Sequence, residues 1–378
     1  MTKKEESEIK KQKNFPIGVK LALIIGFIVL ASLGTVTFLN SYFVSQDVRI
    51  TAEENNLTIN TRSASTAQNK FYSVRSNVLQ LLDLINAASG GKSSALAKQA
   101  EAFFFERNQD IAEIIILTLR PGRSDFLINN QLKNLRFFTS NEIEPDITST
   151  FLGQTGREIE RACRGEIIAL NASPFYRVGL LALLLPYRES GFDQCCLILF
   201  SLENLSDILG SGSTNQTFMI NDSDDLLCHA EMEKILSGQS MKNHPLVEKM
   251  RMENQNSEES RQIIFDLENE EGKKEKYIGA YQKIGLADIS VLTTVPLDIV
   301  LEGVRTTRKN NLYLMGIVLF VSIIFILTFS RFAISRPLRK LTASAEEIQK
   351  GNFDTPIIQS LNSSRRDEIG VLNKSTKD

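Results

Sequence analysis

Hydrophobic and polar positions are spread very unevenly along this chain. From Leu21 to Gln46 no side chain is charged, and the same holds from Asn310 to Ser330. About twenty apolar residues in a helix can cross the hydrocarbon of a bilayer with every backbone N–H and C=O satisfied internally. The pattern therefore predicts two transmembrane helices, at 19–40 and 310–332. The first run is longer than the apolar core of a cleaved secretion signal and lacks a small-x-small cleavage site, so it is read as a retained span.

Between the spans the period changes several times. From about Phe43 to Asn86, Phe71, Val74, Val78, Leu82 and Ile85 recur every three or four residues, which predicts a long helix continuing the first span. Its stretch from Glu53 to Gln68 is more polar, and two helices with a soft joint is the alternative there. Ala88 to Ser94 reads as a loop, Ala95 to Phe105 as a short helix, and Ile111-AEIIILTL-Arg120 as a strand ended by a Pro121-Gly122 turn. Phe151 to Gly165 reads as a helix. Gly179 to Arg188 and Phe192 to Glu203 read as hairpin strands joined across Glu189 to Gly191. Leu205 to Leu209 starts a short helix, and Gly210 to Thr214 is a linker.

A similar order then returns. Strand Phe218 to Asn221, a turn at Asp222 to Asp225 and a strand from Leu226 precede a helix from Pro245 to Asn254. The hairpin strands Arg261 to Glu268 and Lys276 to Lys283 follow, with Asn269 to Lys274 between them. The strand Ile289 to Pro296 leads into a helix from Leu297 that runs into the second span. Two consecutive small antiparallel sheets with flanking helices make the fold class α+β. In the turn, Asn221, Asp222 and Asp225 are expected to bond neighbouring backbone rather than a ligand.

Charge sets the orientation. Lys3, Lys4, Lys10, Lys11, Lys13 and Lys20 precede the first span, while Arg331, Arg336, Arg339 and Lys340 follow the second, so both termini are expected to be cytoplasmic. The region 41–309 is then outside, in a multi-pass protein of the inner (cytoplasmic) membrane, with 1–18 a cytoplasmic tail. Over all 378 residues, 43 Lys plus Arg balance 45 Asp plus Glu, a net charge of -2 that gives no basic surface for nucleic acid. Cys163, Cys195, Cys196 and Cys228, with His229 and His244, are too dispersed for a zinc cluster, and no metal or cofactor is expected. A disulfide involving Cys163 is open in an oxidising compartment, its pairing undetermined. No Walker loop, nucleophile elbow, HExxH or kinase motif occurs, so the chain itself is not read as an enzyme.

After the second span, Leu338, Leu341, Ala345 and Ile348 form one helical stripe behind Pro337, and Gly351 stops the helix. Such a short amphipathic helix needs a partner to cover its stripe. The segment Ile334 to Lys350, the connector Gly351 to Ile358 and Asp367-Glu368-Ile369-Gly370 together resemble a HAMP signal relay at 333–378, truncated at its C-terminal end. The resemblance implies a parallel homodimeric bundle through HAMP and sensor helices, with Leu341, Ala345, Ile348, Ile369 and Leu372 in its core and Glu368 in the motif. The outer region resembles the double Cache sensor, a long helix with two PAS-like lobes, through Phe218 to Arg251 and Lys276 to Arg305. This places a distal lobe at about 95–210 and a proximal lobe at about 215–298. The family implies a pocket in the distal lobe for a small extracytoplasmic ligand or a periplasmic protein. Candidate contacts are Arg157, Tyr176, Arg177 and Tyr187, which would hold a carboxylate through guanidinium and phenol groups. The amino-acid-binding motif of that family includes Trp, which this chain lacks. Leu297 to Gly370 is similar to spirochaete-type adenylate/guanylate cyclases. A chemotaxis receptor, a sensor histidine kinase or a truncated non-signalling paralogue is the alternative.

Overall fold

The computed structural model describes residues 17–89, 94–120, 126–144, 146–187, 193–203, 205, 214–253, 259–268, 272–361 and 365–377. The expected turns at Pro121-Gly122 and Glu189 to Gly191, and most of the Gly210 to Thr214 linker, lie outside them. Two compact units emerge, one comprising Asp47–Glu302, the other Met1–Gln46 with Gly303–Asp378.

Helix α1 is a single helix over Ile17–Ser89, without the joint weighed for Glu53 to Gln68. Within the Asp47–Glu302 unit, one stripe of it buries Ala64, Ala67, Phe71, Val74, Val78, Leu82 and Ile85, the spacing expected of a helix facing a core. Phe71 meets Phe200 edge to face at 5.5 Å between ring centroids. In the polar stretch, Asn56 and Asn60 are buried. Asn60 Nδ2 donates to Val291 O at 2.9 Å and to Ala280 O at 3.3 Å, and its Oδ1 accepts from Ser260 at 2.8 Å. Polarity there attaches the helix to a sheet through side-chain amides, where an apolar pattern would have done so by burial.

In the first lobe, α2 (Ser94–Arg107) leads to β1 (Ile111–Leu119), β2 (Phe126–Lys133), α3 (Leu135–Ser140), α4 (Ile147–Gln154), α5 (Gly156–Cys163), β3 (Ile168–Asn171), α6 (Ser173–Tyr176), β4 (Leu180–Tyr187) and β5 (Gln194–Ser201). The second lobe has β6 (Gln216–Ile220), β7 (Leu226–Cys228), α7 (Met232–Leu236), α8 (Pro245–Met252), β8 (Arg261–Glu268), β9 (Lys274–Lys283) and β10 (Ser290–Pro296). Sheet order is β2-β1-β5-β4-β3 in one lobe and β7-β6-β10-β9-β8 in the other, with every pairing antiparallel. Numbered within each lobe, both read 2-1-5-4-3. The repeat seen as element order in the sequence is thus a repeat of PAS-like topology.

The helix expected over Phe151 to Gly165 is two helices, α4 and α5. They are divided at Thr155, whose hydroxyl donates back to Phe151 O at 2.9 Å. One sheet face of the first lobe packs on α1 through Ile114, Ile116, Leu183, Ile198 and Phe200. The opposite face, with Ile115, Leu117, Ala182, Leu184, Leu197 and Leu199, is covered by Phe138, Phe151 and Ile159 of the helices.

In the second lobe His244 caps α8, its Nδ1 accepting from Leu246 N at 3.2 Å, and its ring lies 5.5 Å from Phe218 and 5.6 Å from Phe265. Burial pulls its pKa down to about 4. The unfolded chain binds a proton there near pH 6.5 and the folded chain does not until about pH 4. The His244 contribution to stability is therefore full above pH 6.5 and falls as the pH drops through that window, by about 3 kcal/mol. His244→Asn keeps a capping acceptor and removes the titration, so urea unfolding of the variant should show a flatter acid limb. An unchanged limb would remove His244 as its source.

Candidate functional site

Strand β1 carries a single charged residue in a largely apolar run. Glu113 stands between Ala112 and Ile114, and its side chain has no solvent exposure. Strand alternation puts Glu113 on the same sheet face as Ile115 and Leu117, just beyond a bulge in the pairing with β5 between Ile111 and Glu113. An isolated carboxylate there would be very costly to bury. Thr148 Oγ1 of α4 donates to Glu113 Oε2 at 2.7 Å, and Gln131 Nε2 of β2 donates to Oε1 at 2.6 Å. The ammonium of Lys133 lies 3.8 Å from Oε1 and 4.3 Å from the Phe138 ring centroid.

Tyr176 completes this cluster. Its hydroxyl donates to Thr148 Oγ1 at 3.2 Å, so a chain of hydrogen bonds runs from phenol to hydroxyl to carboxylate. Burial first, and the Glu113 charge second, push the Tyr176 pKa well above the usual phenol value, with the Thr148 hydrogen bond opposing. The phenol is therefore a fixed donor over the whole physiological range. Its ring meets Phe151 at 5.9 Å and Phe138 at 6.4 Å. The arrangement is a fully buried carboxylate bonded by a hydroxyl and an amide, with an ammonium beside it and a phenol behind the hydroxyl, in an apolar lobe.

The other sequence candidates lie elsewhere. Tyr187 is on β4 with the opposite core, its hydroxyl accepting from Asn86 Nδ2 of α1 at 2.8 Å. Arg157 and Arg177 are exposed, and Arg177 adopts a left-handed φ of 57°. Tyr176 and Tyr187 thus sit on opposite sides of one sheet, and the four residues do not converge. Sequence reasoning passed over Glu113, although a lone charge inside an otherwise uncharged and largely apolar strand was its visible signal.

The Asn221 turn is heavily bonded. Asn221 Oδ1 accepts from Ser223 N at 3.0 Å and Asp225 N at 2.8 Å. Arg251 holds Asp224 at 2.9 Å and Asn221 O at 3.1 Å, and Arg161 of α5 reaches Asp222 at 2.9 Å. These contacts use the turn's side chains for structure.

Helix α9 (Leu297–Val300) is a short turn at the end of the Asp47–Glu302 unit, and α10 (Glu302–Phe329) follows it after a break at Leu301. Both α1 and the helical run from Leu297 are long and apolar enough to cross a membrane. A π-helical segment, Ser330–Ser335, then joins α11 (Arg336–Gln349), with Pro337 in its first turn. Gly351, at φ 86°, closes α11 with Gly351 N bonded to Ile348 O at 2.9 Å. The connector continues through α12 (Pro356–Gln359) to α13 (Glu368–Lys377). Leu341, Ile358 and Leu361 are buried within the chain, and Leu338, Ile348 and Ile369 are half-buried. Ala345, Glu368 and Leu372 are exposed.

Arg365 organises the end of this segment. It pairs with Asp367 and donates to Ala333 O of the π segment at 3.1 Å, while Asp367 Oδ1 accepts from Gly370 N at 2.9 Å. The Arg365 guanidinium, aided by that backbone N–H, holds the Asp367 carboxyl below the usual range.

The architecture is that of a two-lobed α+β module between two candidate membrane helices, followed by a short helical segment. Residues 330–375 match the HAMP domain, and the chain carries that domain there. Among solved structures, the chain is similar to an extracellular domain described as that of the histidine kinase soHK1S-Z6, at 17% identity and a TM-score of 0.43 over 68% of this chain and 98% of that one. It is similar to the sensory domain of the Campylobacter jejuni chemoreceptor Tlp3 with isoleucine bound, at 14% identity and a TM-score of 0.43, again over 68% and 98%. An extracellular ligand binding receptor from Desulfohalobium retbaense is similar at 13% identity and a TM-score of 0.39 over 63% of this chain and 39% of that one. No curated protein sequence matches the chain.

Proposed function

We propose that this chain is the input part of a transmembrane receptor: an extracytoplasmic sensor of the double Cache type, held by two spans, which passes its state to a dimeric HAMP relay. One observation carries the reading, the order along the chain. The HAMP match begins at residue 330, directly after the apolar helix Glu302–Phe329, and the two-lobed module occupies the residues between the two apolar helices. Lys20 before the first span and Arg331, Arg336, Arg339 and Lys340 after the second support cytoplasmic termini at an inner membrane. On the resemblance of Leu297 to Gly370 the output is assigned to a nucleotide cyclase. The output of a chemotaxis receptor or histidine kinase is the alternative that the same sensor and relay would serve.

The ligand is assigned to the distal lobe, at 95–210. Glu113, Thr148 and Tyr176 favour a small molecule bearing an ammonium or amide N–H, whose donors would find an acceptor already desolvated. Ligand binding would favour one of two sensor geometries and so bias the relay dimer, which requires different affinities for the two states. In that dimer Leu372 and Ala345, exposed within a single chain, would be covered by the second copy.

The test uses the full chain in lipid nanodiscs, screened by thermal shift against amines, amino acids, carboxylates, purines and sugars, with calorimetry on each hit. A saturable amine or amino acid that binds stoichiometrically, and that weakens about tenfold or more in Glu113→Gln, is the expected result. Binding of a simple carboxylate unaffected by that substitution would overturn the ligand assignment. Disulfide trapping of Leu372→Cys between two copies, at a rate altered by the ligand, would report the relay.

A further inference from the structure

Directly after the apolar helix Glu302–Phe329, the relay segment surrounds an open cavity of about 510 Å³, within the size range of small-ligand sites. Among the described residues that line it, four are cationic, Arg336, Arg339, Lys340 and Arg365, and none is acidic. Arg365 is already engaged, paired with Asp367 and donating to Ala333 O at 3.1 Å. The other three are exposed, and among the described residues no carboxylate pairs with them. Arg336 is positioned by a ring instead, its guanidinium 4.2 Å from the centroid of Phe332. Like charges three and four residues apart on a helix repel one another, and a bound anion would relieve that repulsion. At 100° per residue these three cations lie on the side of α11 opposite Leu338 and Ala345, so a dimer closed along that stripe would leave the cavity open.

We propose that this cavity binds a phosphate-bearing anion, and that in the cell the anion is the headgroup of an acidic lipid in the leaflet facing the relay. Arginine forks match phosphate oxygens in pairs, and a lysine adds a movable point charge. A headgroup with a net negative charge, as in phosphatidylglycerol, suits three cations that lack carboxylate partners. In phosphatidylcholine a quaternary ammonium would be set among them. Position favours the lipid over a dissolved phosphate: Phe332 and Arg336 stand within about two helical turns of the end of the apolar helix, where basic residues meet the charge of the bilayer surface. Phe332 and the buried Leu361 give the cavity an apolar side as well. Arg336 and Arg339 belong to α11, whereas Arg365 is fixed through Asp367 to the start of α13 and reaches the π segment. An anion bridging them would tie the two relay helices together beside the span. That the source is a lipid rests on the membrane placement proposed above, whereas the phosphate site does not.

The experiment titrates the full chain in a neutral detergent with phosphatidylglycerol, phosphatidylcholine and inorganic phosphate. Native mass spectrometry counts bound molecules, and hydrogen exchange follows the amides of 336–340 and 365–373. Expected is one saturable phosphatidylglycerol per chain, bound about tenfold or more tightly than phosphatidylcholine, with slower exchange in both segments. Arg336→Gln, Arg339→Gln and Lys340→Gln combined should abolish that preference. Lys10→Gln, Lys11→Gln and Lys13→Gln combined remove as much charge elsewhere in the sequence and should leave it intact. Equal losses in the two variants, or lipid uptake that never saturates, would mean only a general attraction of basic residues to an acidic surface and would overturn the site. The wild-type titration decides even without a variant: equal binding of the two lipids with no protection by inorganic phosphate overturns the site too, as does no binding of any of the three. If inorganic phosphate protects these amides and phosphatidylglycerol does not displace it, the phosphate site stands and its placement beside a bilayer fails.

Discussion

Replacing Glu113 by alanine should lower the unfolding free energy of the Asp47–Glu302 unit by about 3 kcal/mol, read as an earlier urea midpoint in the full chain. The carboxylate is fully buried, and its removal deprives Thr148 and Gln131 of their acceptor and Lys133 of its counter-charge. Lys133 retains 21% of its side-chain exposure and regains part of its hydration, which keeps the cost from the upper end for buried pairs. Glu113→Gln preserves shape and one acceptor, and should cost about half as much. Equal midpoints for wild type and Glu113→Ala would mean the three donors find water without penalty. The graded pair also separates folding from recognition: a folded Glu113→Gln protein that no longer binds an amine assigns the charge to the ligand.

The second large effect is expected at Gly370. A Cβ built there would lie well inside van der Waals contact with the carbonyl oxygen of Arg365. Backbone cannot rotate aside as a side chain can, so even Gly370→Ala must displace the start of α13. Displacement breaks the Asp367 bond to Gly370 N, and with it the fixed position from which Arg365 reaches Ala333 O. Hydrogen exchange of the full chain should show the amides of 365–377 losing essentially all protection, and those of 330–335 exchanging about tenfold faster. Protection equal to wild type in both segments would refute this account of the motif.

The β4–β5 hairpin was legible because burial on both faces writes continuous hydrophobic stretches such as 180–185, and the β8–β9 hairpin because a polar run divides its two strands. Strand β2 was not legible. It is an edge strand, paired only with β1, and its exposed Leu127 and Ile128 blur any alternation. The break at Thr155 was hidden by side-chain hydrogen bonding, which no hydrophobic period reports. Asn56 and Asn60 misled in the opposite direction, since polarity suggested a loose joint where the amides grip carbonyls of β9 and β10. For the site, Tyr176 was named through the family resemblance, but its link to Glu113 runs through Thr148 of α4, a contact between distant segments that no linear pattern reports.

The π-helical segment at Ser330–Ser335 has a bearing on how this chain can change in length. A single π turn is equivalent to one residue inserted into an α-helix. Deleting one residue there would restore ordinary helical winding and leave the side chains of α11 on their original azimuth. The same deletion a turn or two later would swing everything beyond it by about 100°. Natural or engineered variants that gain or lose a single residue while keeping their relay in phase should therefore carry the change inside 330–335.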